Sequence, residues 1–287
     1  MTGTRGIDEI IDIARYPLTD AHSPGRASAI AAARAELAET GCTVLREFLR
    51  PELLEDLRRE GEAVAPHAYY RVERVNAYNI PLDTELPDGH PAKIVLERGN
   101  AFVARDHIGV DTLIQRLYVD PVFKRFVADC FDLDELHEFA DPLAGLCLNV
   151  VEPGMSHPWH FDTNEFTVSM LTRRPDAGGV FEYCPNIRDP HNEHLDDVSA
   201  VLEGRGDALI RALELRPGDL QLFKGRFSLH RVTEVDGAGQ RHSAIFAYTD
   251  RPGVIGTVER TRQLFGRVLP DHVAAAASAV RGDQLLD

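Results

Sequence analysis

Two hydrophobic patterns divide the chain near residue 146. Before it, apolar positions recur at helical spacing. Ser28–Thr40 mixes alanine, arginine and glutamate with apolar residues, and Pro51–Glu62 repeats an amphipathic pattern after Arg50. Gly41 is placed to end the first helix, leaving Cys42–Phe48 as a short strand. Helical spacing returns over Asp111–Cys130 and stops at a turn-rich, acidic passage. Between these runs, Tyr69–Asn100 has no clear period but carries prolines together with Tyr69, Tyr70, Arg71, Arg74, Tyr78 and Asn79. A polar, aromatic surface segment of this kind is suited to covering a pocket.

From Leu146 onward the pattern becomes short apolar runs separated by turns: LCLNVVE, EFTVSMLT, GVFEY, DALIRALEL, DLQLFK, LHRVTEV and RHSAIFAYTD. No repeat with a period of about 20 to 50 residues is present, and the connections lack regular crossover helices. The prediction is a mainly β protein with flanking helices, its core a double-sheet jelly roll. One domain, 1–287, would comprise a mainly helical scaffold with a lid over 1–145, the core over 146–250 and a helical tail over 251–287. The tail holds two helical pieces, Gly256–Phe265 and His272–Val280. The second is rich in alanine and has three readings: packed on the sheet, loose, or joined to a second subunit in a homodimer.

Composition narrows the function classes. At 287 residues and 44% hydrophobic content, the chain can bury an ordinary globular core. Its net charge of −15 opposes nonspecific attraction to a nucleic-acid polymer or an anionic membrane. Met1–Tyr16 lacks a signal-peptide core and no run is long enough to span a bilayer, so a cytoplasmic protein is the expectation. Cys42, Cys130, Cys147 and Cys184 are too widely spaced for a zinc knuckle and are expected to be reduced, buried thiols.

Candidate chemistry centres on HPWHFDTNEF, where His160 and Asp162 stand two residues apart. On extended backbone both would project to one face. His230 opens a later strand and can converge on them across a barrel. Two imidazoles and a carboxylate on one face of an octahedral ferrous ion leave three positions for a chelating cosubstrate and oxygen. His-x-Asp alone is weak, since the chain has 12 histidines and 46 acidic residues. The downstream spacing strengthens it: Arg241 lies eleven residues beyond His230, and Ser243 two beyond Arg241. Guanidinium and hydroxyl on one strand face make a carboxylate clamp.

With those residues in place, Leu146–Asp250 resembles the double-stranded β-helix (cupin-like) core of the iron(II) and 2-oxoglutarate-dependent dioxygenases. The resemblance implies iron ligands at His160, Asp162 and His230, and Arg241 and Ser243 on the distal carboxylate of 2-oxoglutarate. It implies O2 as the other cosubstrate, with succinate and CO2 as products. The run His157–Arg188 is similar, more closely, to a subgroup of bacterial hydroxylases and halogenases that act on free amino acids and other natural-product precursors. In the halogenases of that subgroup a small residue replaces the carboxylate ligand and opens a place for halide. Asp162 fills it here, which implies hydroxylation of an unactivated carbon, although ring formation or desaturation begins with the same hydrogen abstraction.

The closer resemblance also implies that His157 and Arg98 hold a substrate carboxylate, which a cationic fork and an imidazole suit. Local hydrogen bonding and a structural ion pair are the competing readings. Thr163 and Glu165 offer polar groups just beyond Asp162, and Tyr70 and Asn79 could reach down from the lid; ordinary loop packing competes for each. Trp159 and Phe161 read as pocket walls or core. His191 and His194, Gly178 and Gly179, and the Arg173–Arg174 pair read as turn residues. Two rival functions stay open: an oxygenase of a carrier-bound, peptide or nucleotide precursor, and an inactive barrel that binds a small acid.

Overall fold

The computed structural model describes residues 6–275 and 285–286 of the chain. Helix α1 (Pro24–Thr40) ends at Gly41, whose φ of 69° is the left-handed conformation that glycine adopts without steric cost. Strand β1 (Cys42–Leu45) follows, and a 3-10 turn over Pro51–Leu53 leads into α2 (Leu54–Val64). The stretch without clear period contains a small hairpin, β2 (Glu73–Val75) with β3 (Leu96–Arg98), followed by β4 (Ala101–Val103). The helical run at Asp111–Cys130 is broken into α3 (Leu113–Val119) and α4 (Pro121–Phe131). Pro121 cannot continue α3, and the Asp120 carboxylate accepts from the amides of Val122 and Phe123 to start α4.

After β5 (His137–Glu138) come β6 (Leu146–Val151), β7 (His157–His160), β8 (Thr167–Arg173), β9 (Ala177–Gly178) and β10 (Phe181–Tyr183). Helix α5 (Leu195–Leu202) interrupts the strands; its two buried valines, Val198 and Val201, are too few to register as a periodic stripe in the sequence. Then follow β11 (Arg211–Leu213), β12 (Leu220–Phe223), β13 (His230–Val232), β14 (Val235–Asp236) and β15 (Arg241–Thr249). The tail forms α6 (Val258–Phe265) and α7 (Pro270–Ala275); the part of the second expected tail helix beyond residue 275, up to 280, lies outside the described residues.

All described strand pairs are antiparallel: a seven-stranded sheet of order β1-β12-β8-β15-β6-β4 with β5 added on β15, a four-stranded sheet of order β11-β10-β13-β7, and the two-stranded pairs β9–β14 and β2–β3. Side chains alternate between the two faces of a strand, and the large sheet follows this apart from a register shift between β15 and β8 at His242 and Ser243. Leu148, Val150, Met170, Leu222, Ala244 and Phe246 pack beneath the N-terminal helices against Leu37, Leu57, Leu117 and Phe126. The intervening positions, Asn149, Ser169, Gln221, Arg241 and Ser243, share the opposite face and are all buried. Leu171, Phe223, Cys147 and Val151 share that face, so polar groups are set among apolar walls there, which suits a polar ligand.

The architecture is mixed α/β, a core sheet flanked by helices, so the flanking helices of the sequence expectation are present and make up a large share of the fold. Among the described residues no strand pairing joins the two sheets into a closed barrel. All four cysteines are buried and free, and burial pushes thiols such as Cys42 up to about 12. No described helix is long and apolar enough to cross a membrane.

Candidate active site

Strands β7 and β13 pair so that His160 directly faces His230, with ring centroids 4.1 Å apart. Each ring is fixed by its own backbone. His160 Nδ1 lies 2.8 Å from the carbonyl of Pro158, and His230 Nδ1 lies 2.9 Å from that of Ser228. A carbonyl only accepts, so both Nδ1 atoms donate to it, which turns both Nε2 atoms to the opposite side. These Nε2 atoms point at Oδ1 of Asp162, 3.6 Å and 3.5 Å away. The other carboxylate oxygen, Oδ2, accepts from Thr167 Oγ1 at 2.8 Å.

Asp162 lies just past the end of β7, so its direction is not set by strand alternation alone. Its amide donates to the carbonyl of Gly225, on the connection from β12 to β13. Burial alone would raise its pKa, but the neighbouring His230 and His160 and the Thr167 hydroxyl reverse that and hold it below the ordinary carboxylate range. His160 is driven well below its usual value by burial, and then by His157 and His230. Two imidazole nitrogens and a carboxylate oxygen therefore lie within 4.8 Å of one another, an arrangement that suits a divalent cation. Among the described residues this is the only cluster of histidine, cysteine or carboxylate groups so arranged. His194 instead pairs with Asp189 in the turn before α5, and His191 is exposed.

Arg241 and Ser243 project from β15 to one face, and Arg241 Nη1 donates to Ser243 Oγ at 2.7 Å. Burial lowers the arginine's pKa to about 10, and no carboxylate among the described residues pairs with it. Gly179 lies over its stem, where an added Cβ would stand 3.0 Å from Arg241 Cδ. Asn149 sits opposite Ser243 on β6 and accepts from Asn100 Nδ2 at 2.9 Å. A cation, a hydroxyl and an amide thus line one stretch of the inner face.

His157 stacks on His160 with centroids 3.8 Å apart, and burial followed by the charges of His230, Arg98, Arg260 and Arg241 keeps it neutral. Arg98 faces Glu73 across the β2–β3 hairpin: Nη2 donates to Glu73 Oε2 at 2.9 Å and to the Gln263 carbonyl at 3.1 Å. Its Nε and Nη1 are buried without a partner. Asn79, at φ 58°, donates to the Phe161 carbonyl at 3.0 Å, so this lid residue does reach the metal loop. Thr163 and Glu165 lie partly buried between Asp162 and β8. Tyr70 lines a separate cavity of about 540 Å³ with Glu62, Glu152, Arg173 and Gln240, and none of the metal-ligand candidates lines it. Trp159 and Phe161 are buried and carry the guanidinium groups of Arg231 and Arg188, at 4.6 Å and 3.7 Å from their ring centroids.

The sequence reading missed Thr167, Gly225 and Arg260. Thr167 stands five residues beyond Asp162, and only the turn between β7 and β8 brings its hydroxyl back. Arg260, on α6, donates through Nη1 to Asn79 Oδ1 at 3.0 Å and to Gln263 Oε1 at 2.5 Å. Neither residue belongs to a motif in the sequence.

Residues 26–254 match the family model described as Halogenase D, and the chain belongs to that family. With its fold and its triad, that makes it a member of the Fe(II)/2-oxoglutarate dioxygenase superfamily. No curated protein matches it. Among solved structures, it is similar in fold to the epimerase SnoN from nogalamycin biosynthesis in complex with Fe3+, α-ketoglutarate and nogalamycin RO, at 15% identity over 78% of this chain and 84% of that one, TM-score 0.54. AviO1 from Streptomyces viridochromogenes Tue57 is similar at 15% identity over 78% and 96%, TM-score 0.53. A prolyl hydroxylase from Trichoplax adhaerens, in complex with a hypoxia-inducible-factor peptide, is similar at 12% identity over 78% and 90%, TM-score 0.50. At such identities the likeness is one of fold.

Proposed function

We propose that the protein is an Fe(II)- and 2-oxoglutarate-dependent hydroxylase of an unactivated carbon in a free amino acid or amino-acid-like metabolite, releasing succinate and CO2. The observation that carries this reading is the Asp162 carboxylate, fixed by Thr167 and turned toward both imidazoles. The family's printed name refers to halogenation, but the halogenases that this chain resembles have a small residue where Asp162 stands. A carboxylate in that position occupies the place that halide would take.

His160, Asp162 and His230 would hold the iron, and none of them serves as a general base. Bound iron with 2-oxoglutarate and O2 would supply an oxidant strong enough to take hydrogen from an unactivated carbon. Arg241 and Ser243 would hold the distal carboxylate of 2-oxoglutarate; a buried guanidinium without a counter-ion gains most from an arriving anion. His157 and the two unpartnered N–H groups of Arg98 would receive a substrate carboxylate. The buried rings of Trp159 and Phe161 alternate with His160 and belong to a hydrophobic cluster with Tyr78, Val198 and Val201. We read the two sheets over 146–250 as a jelly-roll core, 1–145 as scaffold and lid, and 251–287 as a tail closing the substrate side.

The test is reconstitution with Fe(II) and 2-oxoglutarate without oxygen, then exposure to oxygen with an amino-acid library while succinate and product masses are followed. A product heavier by one oxygen is expected, with matching succinate. No succinate with any member of the library would contradict the hydroxylase reading and favour an inactive binding barrel.

A further inference from the structure

The oxygenase reading leaves one charge unused. Ferrous iron, the Asp162 carboxylate and dianionic 2-oxoglutarate sum to a single negative charge, which Arg241 cancels. Glu73 pairs with the buried Arg98 at 2.9 Å and, on its outer side, with the exposed Arg71 at 3.5 Å. Arg260 remains.

Its guanidinium is close to the metal loop. Arg260 Nη1 donates to Asn79 Oδ1, and Asn79 Nδ2 donates in turn to the carbonyl of Phe161, the residue between His160 and Asp162. Gln263 ties it to Arg98: the side-chain oxygen of Gln263 accepts from Arg260 and its backbone carbonyl from Arg98. Both partners of Arg260 are neutral amides. Arg260 is partly buried, and among the described residues no carboxylate lies within ion-pair distance of it. Burial, with the nearby positive charge of Arg98, lowers its pKa to about 10, while Asp162 and Glu73 oppose that from beyond pairing distance. A partly buried cation held between neutral amides gains from the arrival of an anion.

We infer that the pocket selects a substrate of net negative charge, an amino acid with an acidic side chain, and that Arg260 is the residue that reads the additional charge. This rests on the oxygenase reading above. A zwitterion would leave Arg260 uncompensated, and a basic amino acid would bring a second positive charge beside it. Asn79, in its left-handed turn, and Gln263 act as positioning residues that hold the guanidinium over the metal loop.

The test titrates anaerobic protein carrying Mn(II) and 2-oxoglutarate, by calorimetry, with three pairs: aspartate against asparagine, glutamate against glutamine, and 2-aminoadipate against norleucine. At least one acid should bind about tenfold or more tightly than its uncharged partner, the scale of one charge-assisted hydrogen bond. Arg260→Gln should abolish that preference while 2-oxoglutarate affinity stays within about twofold. Arg260→Lys should keep part of it, which a purely structural link between lid and tail would not require. Equal binding within all three pairs, or an acid preference unchanged in Arg260→Gln, overturns the inference and leaves the oxygenase reading standing. Failure of the metal-loaded wild type to bind 2-oxoglutarate overturns both.

Discussion

A Cβ atom added to Gly225 would stand 2.0 Å from Oδ2 of Asp162. The same glycine accepts the amide hydrogen of Asp162 at 3.1 Å, so it fixes the backbone of the metal loop and leaves room for its carboxylate. Gly225→Ala must push that carboxylate out of line with the two imidazoles. Displacing an orienting contact of this kind weakens metal binding by roughly 10- to 100-fold. An Fe(II) titration of the variant should show such a loss; unchanged affinity would mean that Asp162 is not a ligand.

Asp162 itself governs the outcome of the reaction. With the carboxylate in place, wild-type protein in saturating chloride should give only the oxygenated product by mass spectrometry. Asp162→Ala should lower Fe(II) affinity by more than ~100-fold and abolish hydroxylation. A chlorinated product from the wild type would contradict the assignment.

Arg241 and Ser243 should separate in magnitude. Removing the buried guanidinium in Arg241→Ala should weaken 2-oxoglutarate binding by roughly 100-fold or more, since it deletes the charge as well as the donor. Ser243→Ala deletes one neutral donor, worth about 1 kcal/mol, or roughly fivefold. Titration of 2-oxoglutarate into the metal-loaded variants measures both, and equal affinities for wild type and Arg241→Ala would remove the clamp.

His242 makes stability depend on pH. Its ring is fully buried beneath α2, with Nε2 2.9 Å from Gln240 Oε1 and Nδ1 buried without a partner. Burial and then the charge of Arg173 lower its pKa to about 4, with Arg241 adding to this and Glu62 opposing it. The unfolded chain takes up a proton near pH 6.5 that the native ring refuses. The contribution of neutral His242 is therefore complete above pH 6.5 and is lost as pH falls toward 4, by up to roughly 3 kcal/mol. Urea unfolding of His242→Gln at pH 7 and pH 5 should show a smaller drop than wild type; an equal drop would assign the acid sensitivity elsewhere.

The shared face of Arg241 and Ser243 is legible because strand side chains repeat every two residues; the His160–Asp162 spacing points the same way, but Asp162 lies past the end of β7 and its backbone is fixed by Gly225. The polar inner face of the large sheet follows from the same alternation. The Asp120–Pro121 break carried its own local signal, yet the helical spacing on both sides masked it. Arg260 could not be read, because it lies on α6 beyond the core and reaches the metal loop only through Asn79 and Gln263. By sequence Tyr70 could reach down from the lid or pack within its loop; Tyr69 bridges to Phe102, and Tyr70 lines the outer cavity. In a segment without a period, the face a side chain takes is set by distant partners.

The central claim is that His160, Asp162 and His230 form one iron centre that accepts 2-oxoglutarate. The most direct measurement is the visible absorption of anaerobic protein with Fe(II) as 2-oxoglutarate is added. A charge-transfer band should grow to saturation at one equivalent of iron, vanish in His160→Ala, and need far more cosubstrate in Arg241→Ala. A wild-type protein that binds Fe(II) but gives no band, or a band that persists in His160→Ala, would contradict the account.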